Sequence, residues 1–131
     1  ESEYQREKDL LLSQDRIKRL VYFGSLSIFY SDSRYSRHKR EMEELVKDNF
    51  PEYCIVRLGN IRWGNNPHTL INAMKGRVQS ATPLQIQDTY RYIVDREEFL
   101  HWISLIPTFN VEINIPGRRM KVSEVVKEFV L

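Results

Sequence analysis

Arg19-Leu20-Val21-Tyr22-Phe23-Gly24-Ser25 and, ten residues beyond that serine, Tyr35-Ser36-Arg37-His38-Lys39 are the stretches that decide the fold. The first is a short apolar run that stops at a glycine, which predicts a buried β-strand running into a loop through Ser27. In the second, Ser33 is a candidate N-cap. Tyr35, Met42, Leu45, Val46 and Phe50 recur at inward-facing spacing, so a helix is predicted over roughly 34–49, stopped by Pro51. Tyr53-Cys54-Ile55-Val56-Arg57-Leu58 follows as a second buried strand.

The same alternation extends outward. A charged opening with Leu10, Leu11 and Leu12 suits a helix over roughly 4–15. Gly59 to Pro67, rich in glycine and asparagine, marks a loop, and a helix is predicted from His68 to about Val78. Thr82 to Gln87 reads as a short strand and Tyr90 to Val94 as another extended piece. Asp95 caps a helix through about Ile103. Val111 to Ile115 is a strand, Pro116-Gly117 a turn, and Ser123 the N-cap of a closing helix. Strands that are apolar on both faces and alternate with helices predict an α/β fold with an at least partly parallel sheet. No repeat or linker interrupts the chain, so residues 1–131 are expected to form a single domain.

Composition narrows the function classes. The 20 basic and 18 acidic residues leave a net charge of +2, which gives no electrostatic case for nucleic acid. No apolar run approaches the roughly 20 residues needed to span a bilayer, so no membrane partner is expected. The one cysteine, Cys54, lies in an apolar run and reads as an inert core thiol in a reducing, cytoplasmic setting. His38, His68 and His101 lack the spacing of a metal site, and no metal is expected. Glu41, Glu43 and Glu44 follow the Arg34, Arg37, His38, Lys39, Arg40 cluster, which therefore reads as a solvated helix face. Trp63, in the loop, reads as packing over the pocket, with stacking on a base or nicotinamide as the alternative.

Tyr35 and Lys39 carry the candidate chemistry. Four residues apart on a helix, they share one face. An ammonium near a phenol favours the phenolate, so Lys39 is expected to lower the Tyr35 pKa from its ordinary value of about 10. Such a tyrosine can exchange a proton with a hydroxyl or carbonyl. Ser25, at the end of the preceding strand, can hold that oxygen. Ligands of open α/β sheets gather at the carboxyl ends of strands, where Ser25 and the Asn60 loop are expected.

The order of Leu20-Val21-Tyr22-Phe23-Gly24-Ser25, Tyr35-Ser36-Arg37-His38-Lys39, Arg57-Leu58-Gly59-Asn60, Trp63-Gly64, Arg91-Tyr92-Ile93-Val94-Asp95 and Asn114-Ile115-Pro116-Gly117 resembles the extended short-chain dehydrogenase/reductase family. That family includes nucleotide-sugar epimerases, dehydratases and reductases, and the likeness covers residues 10 to 131. It implies a Rossmann-like, mostly parallel sheet with a small substrate-side subdomain, and NAD or NADP as cofactor. It also implies a nucleotide-sugar substrate and the prospect of a homodimer. Carried over by position, Ser25 contacts the reacting oxygen, Tyr35 is the acid/base, and Lys39 tunes it and bonds the nicotinamide ribose. Leu58 and Asn60 adjoin the cofactor, Asn60 also meets the substrate, and Arg91 meets its phosphates.

There are departures from the pattern. Gly24 stands where the family has a first serine, the Ser25–Tyr35 loop is short, and Asn65-Asn66-Pro67 replaces the proline after the glycine. The five glycines, at 24, 59, 64, 76 and 117, form no GxGxxG cradle for a dinucleotide. By the resemblance, the phosphate cradle lies upstream of this sequence, comes from another chain, or does not exist. The alternative is a truncated, non-catalytic relative that binds a ligand or a protein.

Overall fold

A computed structural model describes residues 2–87 and 89–131. Helix α1 (Ser2–Leu12) leads to strand β1 (Leu20–Ser25), a 3₁₀ turn (Leu26–Phe29) and helix α2 (Arg34–Asn49). Strands β2 (Tyr53–Leu58) and β3 (Asn60–Ile61), helix α3 (Leu70–Gln79), strand β4 (Tyr90–Val94) and helix α4 (Arg96–Ile103) follow. Strands β5 (Val111–Ile115) and β6 (Arg118–Lys121) precede a closing helix that starts as α5 (Val122–Val125) and continues as a π-type turn over Val126–Val130.

The chain divides into two compact units. One runs up to Arg57 and includes Leu105–Asn114; the other comprises Leu58–Ser104 and Ile115–Leu131. The strands form a parallel sheet in the order β1-β2-β5 and a second sheet in the order β3-β4-β6. In the second, β3 pairs parallel to β4 with Asn60 opposite Ile93, and β6 pairs antiparallel with Met120 opposite Arg91.

In the first unit, Met42, Val46 and Phe50 recur every fourth residue along α2 and are buried against Leu11, Tyr22 and Ile55. Burying each such side chain contributes about 1.5–3 kcal/mol. Strand β2 is central in its sheet, so Cys54, Ile55 and Val56 are all inaccessible. Strand β1 departs from the expected two-sided burial. Tyr22 is buried, while Val21 and Phe23 point outward and are substantially exposed, because β1 has one neighbour in the sheet. In the second unit Ile71, Ile93, Met120 and Val125 make the core, with Leu70, Phe129 and Val130 packed against it.

Local signals fared unevenly. Ser33 caps α2, accepting the Ser36 N–H at 3.2 Å. Asp95 occupies the N-cap position of α4, yet its carboxylate accepts Arg62 Nη1 at 2.9 Å instead of a helix amide. Ser123 lies inside α5 and Lys121 is the cap, because Glu124 reaches back to accept the Lys121 N–H at 2.9 Å. Thr82 to Gln87 forms no strand and runs as an irregular segment. Two glycines are required by close approach. A Cβ on Gly59 would lie 2.4 Å from the Pro116 carbonyl oxygen, and one on Gly117, at φ +76°, would lie 2.1 Å from that of Ile93. No helix among the described residues is long and apolar enough to cross a membrane.

Candidate active site

The end of β1 and the start of α2 are held together by polar contacts. Ser25 Oγ accepts the Ser27 N–H at 3.1 Å and so opens the 3₁₀ turn. The Arg40 guanidinium reaches back from α2, donating to the Ile28 carbonyl at 3.0 and 2.8 Å and also to that of Ser31. One turn beyond Lys39, the buried Glu43 carboxylate takes a bidentate pair of bonds from Arg57 of β2, at 2.9 and 2.7 Å. Arg57 also donates to Glu112, and to Asn114 at 3.3 Å. This fork fixes how α2 is rotated on the sheet, and hence where Tyr35 and Lys39 point.

Ser25, Tyr35 and Lys39 come together in this unit. Ser25, at the end of β1, acts to favour the ionised form of the Tyr35 phenol. Lys39 Nζ lies 5.6 Å from the centre of the Tyr35 ring. Its partners are Glu7 of α1, at 3.0 and 3.2 Å, and the Tyr22 hydroxyl at 3.3 Å. Glu7 also takes the His38 Nε2 contact at 2.8 Å and the Tyr22 hydroxyl at 3.3 Å. The His38 ring stacks on Tyr4 with centroids 4.2 Å apart.

Electrostatics follow from this set. Burial acts to raise the Glu7 carboxyl, but the Lys39 ammonium and the bonds from Lys39 and His38 outweigh it, so the group sits below the ordinary carboxylate value. Tyr35, although 46% exposed as a residue, has its phenol raised above the ordinary value. Desolvation dominates, Ser25 opposes it, and the Glu7 charge adds to it. The lowered phenol expected from sequence is thereby corrected, since burial of the phenol outweighs the groups that favour its ionised form. Tyr35 rests as a neutral proton donor. Tyr22, buried between Glu7 and Lys39, is raised further, and burial pushes the Cys54 thiol up, which suits a core role. The predicted solvated basic face is also corrected, because His38 and Lys39 are buried against Glu7 while Arg37 stays in water.

Leu58, Asn60 and Arg91 belong to the other unit. Leu58 ends β2. Asn60 Nδ2 donates to the Tyr92 carbonyl at 3.2 Å, which ties β3 to β4 and leaves its amide oxygen as an acceptor. Arg91 Nε is buried with no hydrogen-bond partner, an unmet donor on a partly buried strand residue. Trp63 packs against Phe99, centroids 5.4 Å apart. Sequence reasoning missed Glu7, Tyr22, Ser27 and Ser36, all of which bear on the Tyr35–Lys39 group.

No family model matches the chain, and no curated protein matches it. Solved structures do. The Bordetella bronchiseptica enzyme WbmG, in complex with NAD, aligns at TM-score 0.62 and 19% identity over 84% of this chain and 43% of its own. A UDP-N-acetylglucosamine 4-epimerase from Methanobrevibacter ruminantium, in complex with UDP-N-acetylmuramic acid, aligns at 0.59 and 14% over 93% and 49%. The dTDP-glucose 4,6-dehydratase of Bacillus anthracis, in complex with NAD, aligns at 0.63 and 16% over 86% and 45%. The chain shares their fold. It spans under half the length of each.

Proposed function

We propose that this chain is the proton-transfer and substrate-side portion of an NAD- or NADP-dependent enzyme that epimerises, dehydrates or reduces a nucleotide-activated sugar. The carrying observation is the placement of Tyr35 on α2 with the buried Lys39 Nζ 5.6 Å from its ring centre, beside the strand β1 that ends in Ser25. The printed names of the structural neighbours, which include NAD complexes, a UDP-sugar epimerase and a dTDP-glucose dehydratase, support this reading.

In it, Ser25 holds a substrate oxygen and Tyr35 gives that oxygen a proton. Arg91, with its unmet Nε donor, takes a phosphate oxygen of the substrate. Tyr35, Lys39, Leu58 and Asn60 would adjoin the nicotinamide end of the cofactor, which when bound accepts and returns a hydride. Within the first unit, Tyr35 and Lys39 suit that end. Lysine has three N–H donors, and Glu7 and Tyr22 take all three, so a ribose hydroxyl must displace the long Tyr22 bond of 3.3 Å. No glycine-rich cradle for the phosphates is in this sequence.

The test is Tyr35→Phe in the full-length protein, assayed with UDP- and dTDP-sugars and either nicotinamide cofactor. A loss of about a hundredfold or more is expected. Turnover within about tenfold of wild type would remove the proton-transfer role. The commitment of Lys39 to Glu7 favours a second reading, a non-catalytic relative that binds nucleotide without turnover. Saturable UDP binding with every substrate unchanged would select it.

A further inference from the structure

The Lys39 ammonium closes a ring with two neighbours. Its Nζ donates to both oxygens of Glu7, at 3.2 and 3.0 Å, and to the Tyr22 hydroxyl at 3.3 Å. The Tyr22 hydroxyl donates in turn to Glu7 Oε1 at 3.3 Å. Glu7 comes from α1, Tyr22 from β1 and Lys39 from α2, so three elements of the first unit meet here. Two aromatic rings stand near the ammonium: Nζ lies 5.4 Å from the centre of the Tyr22 ring and 5.6 Å from that of Tyr35.

Counting hydrogens fixes the direction of every bond in the ring. An ammonium only donates and a carboxylate only accepts, so the phenol accepts from Lys39 and gives its one hydrogen to Glu7. Burial, with the Glu7 charge adding to it, holds the Tyr22 phenol above its ordinary value, so that hydrogen stays in place. The partners of Lys39 are not equally held. Glu7 grips it with two bonds and the opposite charge. Both Tyr22 bonds, at 3.3 Å, are longer than the usual distance of about 2.9 Å from nitrogen and about 2.7 Å from oxygen. Tyr22 is therefore the partner that Lys39 gives up first, and it is a neutral hydroxyl, the same chemistry that a sugar presents. The core does not require that hydroxyl, since a phenylalanine ring would fill the same place beside Leu11, Met42 and Ile55. Nor is the ammonium sealed off: 11% of the Lys39 side chain stays open to solvent, and Tyr35 beside it is half-exposed.

We propose that the Tyr22 hydroxyl is a gate on Lys39, holding the third N–H of the ammonium until a ribose hydroxyl of the nicotinamide cofactor takes it. The gate rests on the cofactor-side role of Lys39 proposed above. Glu7 keeps the other two N–H groups throughout, so Lys39 bonds one ribose hydroxyl and not a pair. Only hydrogen bonds are exchanged, and Tyr22 retains its bond to Glu7. The exchange sets the affinity. With the gate present, the new bond replaces an existing one. Without the Tyr22 hydroxyl, the ammonium carries a poorly met donor that the ribose hydroxyl satisfies, and binding tightens. Loss of a group that served the fold alone would weaken binding or leave it unchanged.

Titration of the full-length wild type, Tyr22→Phe and Lys39→Met with NADH and NADPH, followed by nicotinamide fluorescence, tests it. For the nucleotide that wild type binds, Tyr22→Phe is expected to bind about three- to tenfold more tightly, and Lys39→Met about tenfold more weakly. A second readout uses wild type alone: NMR of a ring-carbon label on Tyr22. Its signal is expected to shift as the nucleotide saturates, because the phenol loses its ammonium bond. Suppose Tyr22→Phe binds no more tightly than wild type, or the label stays unmoved at saturation, while Lys39→Met binds more weakly. The gate is then overturned and the Lys39 role stands. If Lys39→Met binds as wild type does, or wild type binds neither nucleotide, both fall.

Discussion

Replacing Glu7 by glutamine removes one charge and keeps the shape of the side chain. The carboxylate holds Lys39 at 3.0 and 3.2 Å and His38 at 2.8 Å. At 3 Å and an effective dielectric of about 20, the gross Lys39 attraction is about 5 kcal/mol. The Glu7 side chain is 35% exposed, against 11% for that of Lys39, so solvent screens part of that attraction. A net loss of about 1–3 kcal/mol is expected, below that for a fully buried pair.

The pH dependence carries a sign. The Glu7 pKa is lowered in the folded state, so its stabilisation is complete above the unfolded value of 4.5 and fades as pH falls through the lower folded value. Urea unfolding of wild type and Glu7→Gln, from about pH 7 down to about pH 3, should show a constant gap that closes only in the acid. Tyr35 should also ionise more easily in the variant, since Glu7 contributes to its raised pKa. A variant as stable as wild type at neutral pH would refute the reasoning, as would a gap that persists unchanged in acid.

Two further outcomes follow from the packing. Glu43→Gln should cost about 1–3 kcal/mol in denaturant unfolding, because it removes the buried charge and one of the two acceptor oxygens opposite Arg57 while Glu112 and Asn114 remain. Gly59→Ala should cost about 1–3 kcal/mol or more by the same measure. Its methyl group would meet backbone oxygens of Pro116 at 2.4 Å and Tyr92 at 3.0 Å, neither of which can turn aside.

Much of the fold is legible where local chemistry decides it. The apolar run of β2, the Ser33 cap and the Pro51 stop each act through neighbours in sequence, and the structure places them as predicted. Strand β1 was misread because its exposure depends on sheet position, which an apolar run does not encode. Ser123 was misread because it competed with Glu124, whose reach back to Lys121 defines the helix start. At the site, the spacing of Tyr35 and Lys39 brought both residues and Ser25 into view. Glu7 stayed hidden because it meets Lys39 from 32 residues away, and burial of the phenol, to which the Glu7 charge adds, sets the direction of the Tyr35 shift. Ser36 lay inside the quoted stretch, but its burial comes from tertiary packing.

The fork between Glu43 and Arg57 has a consequence for how such a chain can diverge. Loss of Arg57 would leave the buried Glu43 carboxylate without its cation, whereas loss of Glu43 would leave Arg57 still paired with Glu112 and Asn114. Substitution of Arg57 is therefore tolerated only alongside substitution of Glu43. An apolar pair of similar volume is the accessible replacement, and a swap of the two charges is barred at its halfway point. In an alignment of descendants, a change at position 57 should come with a change at position 43.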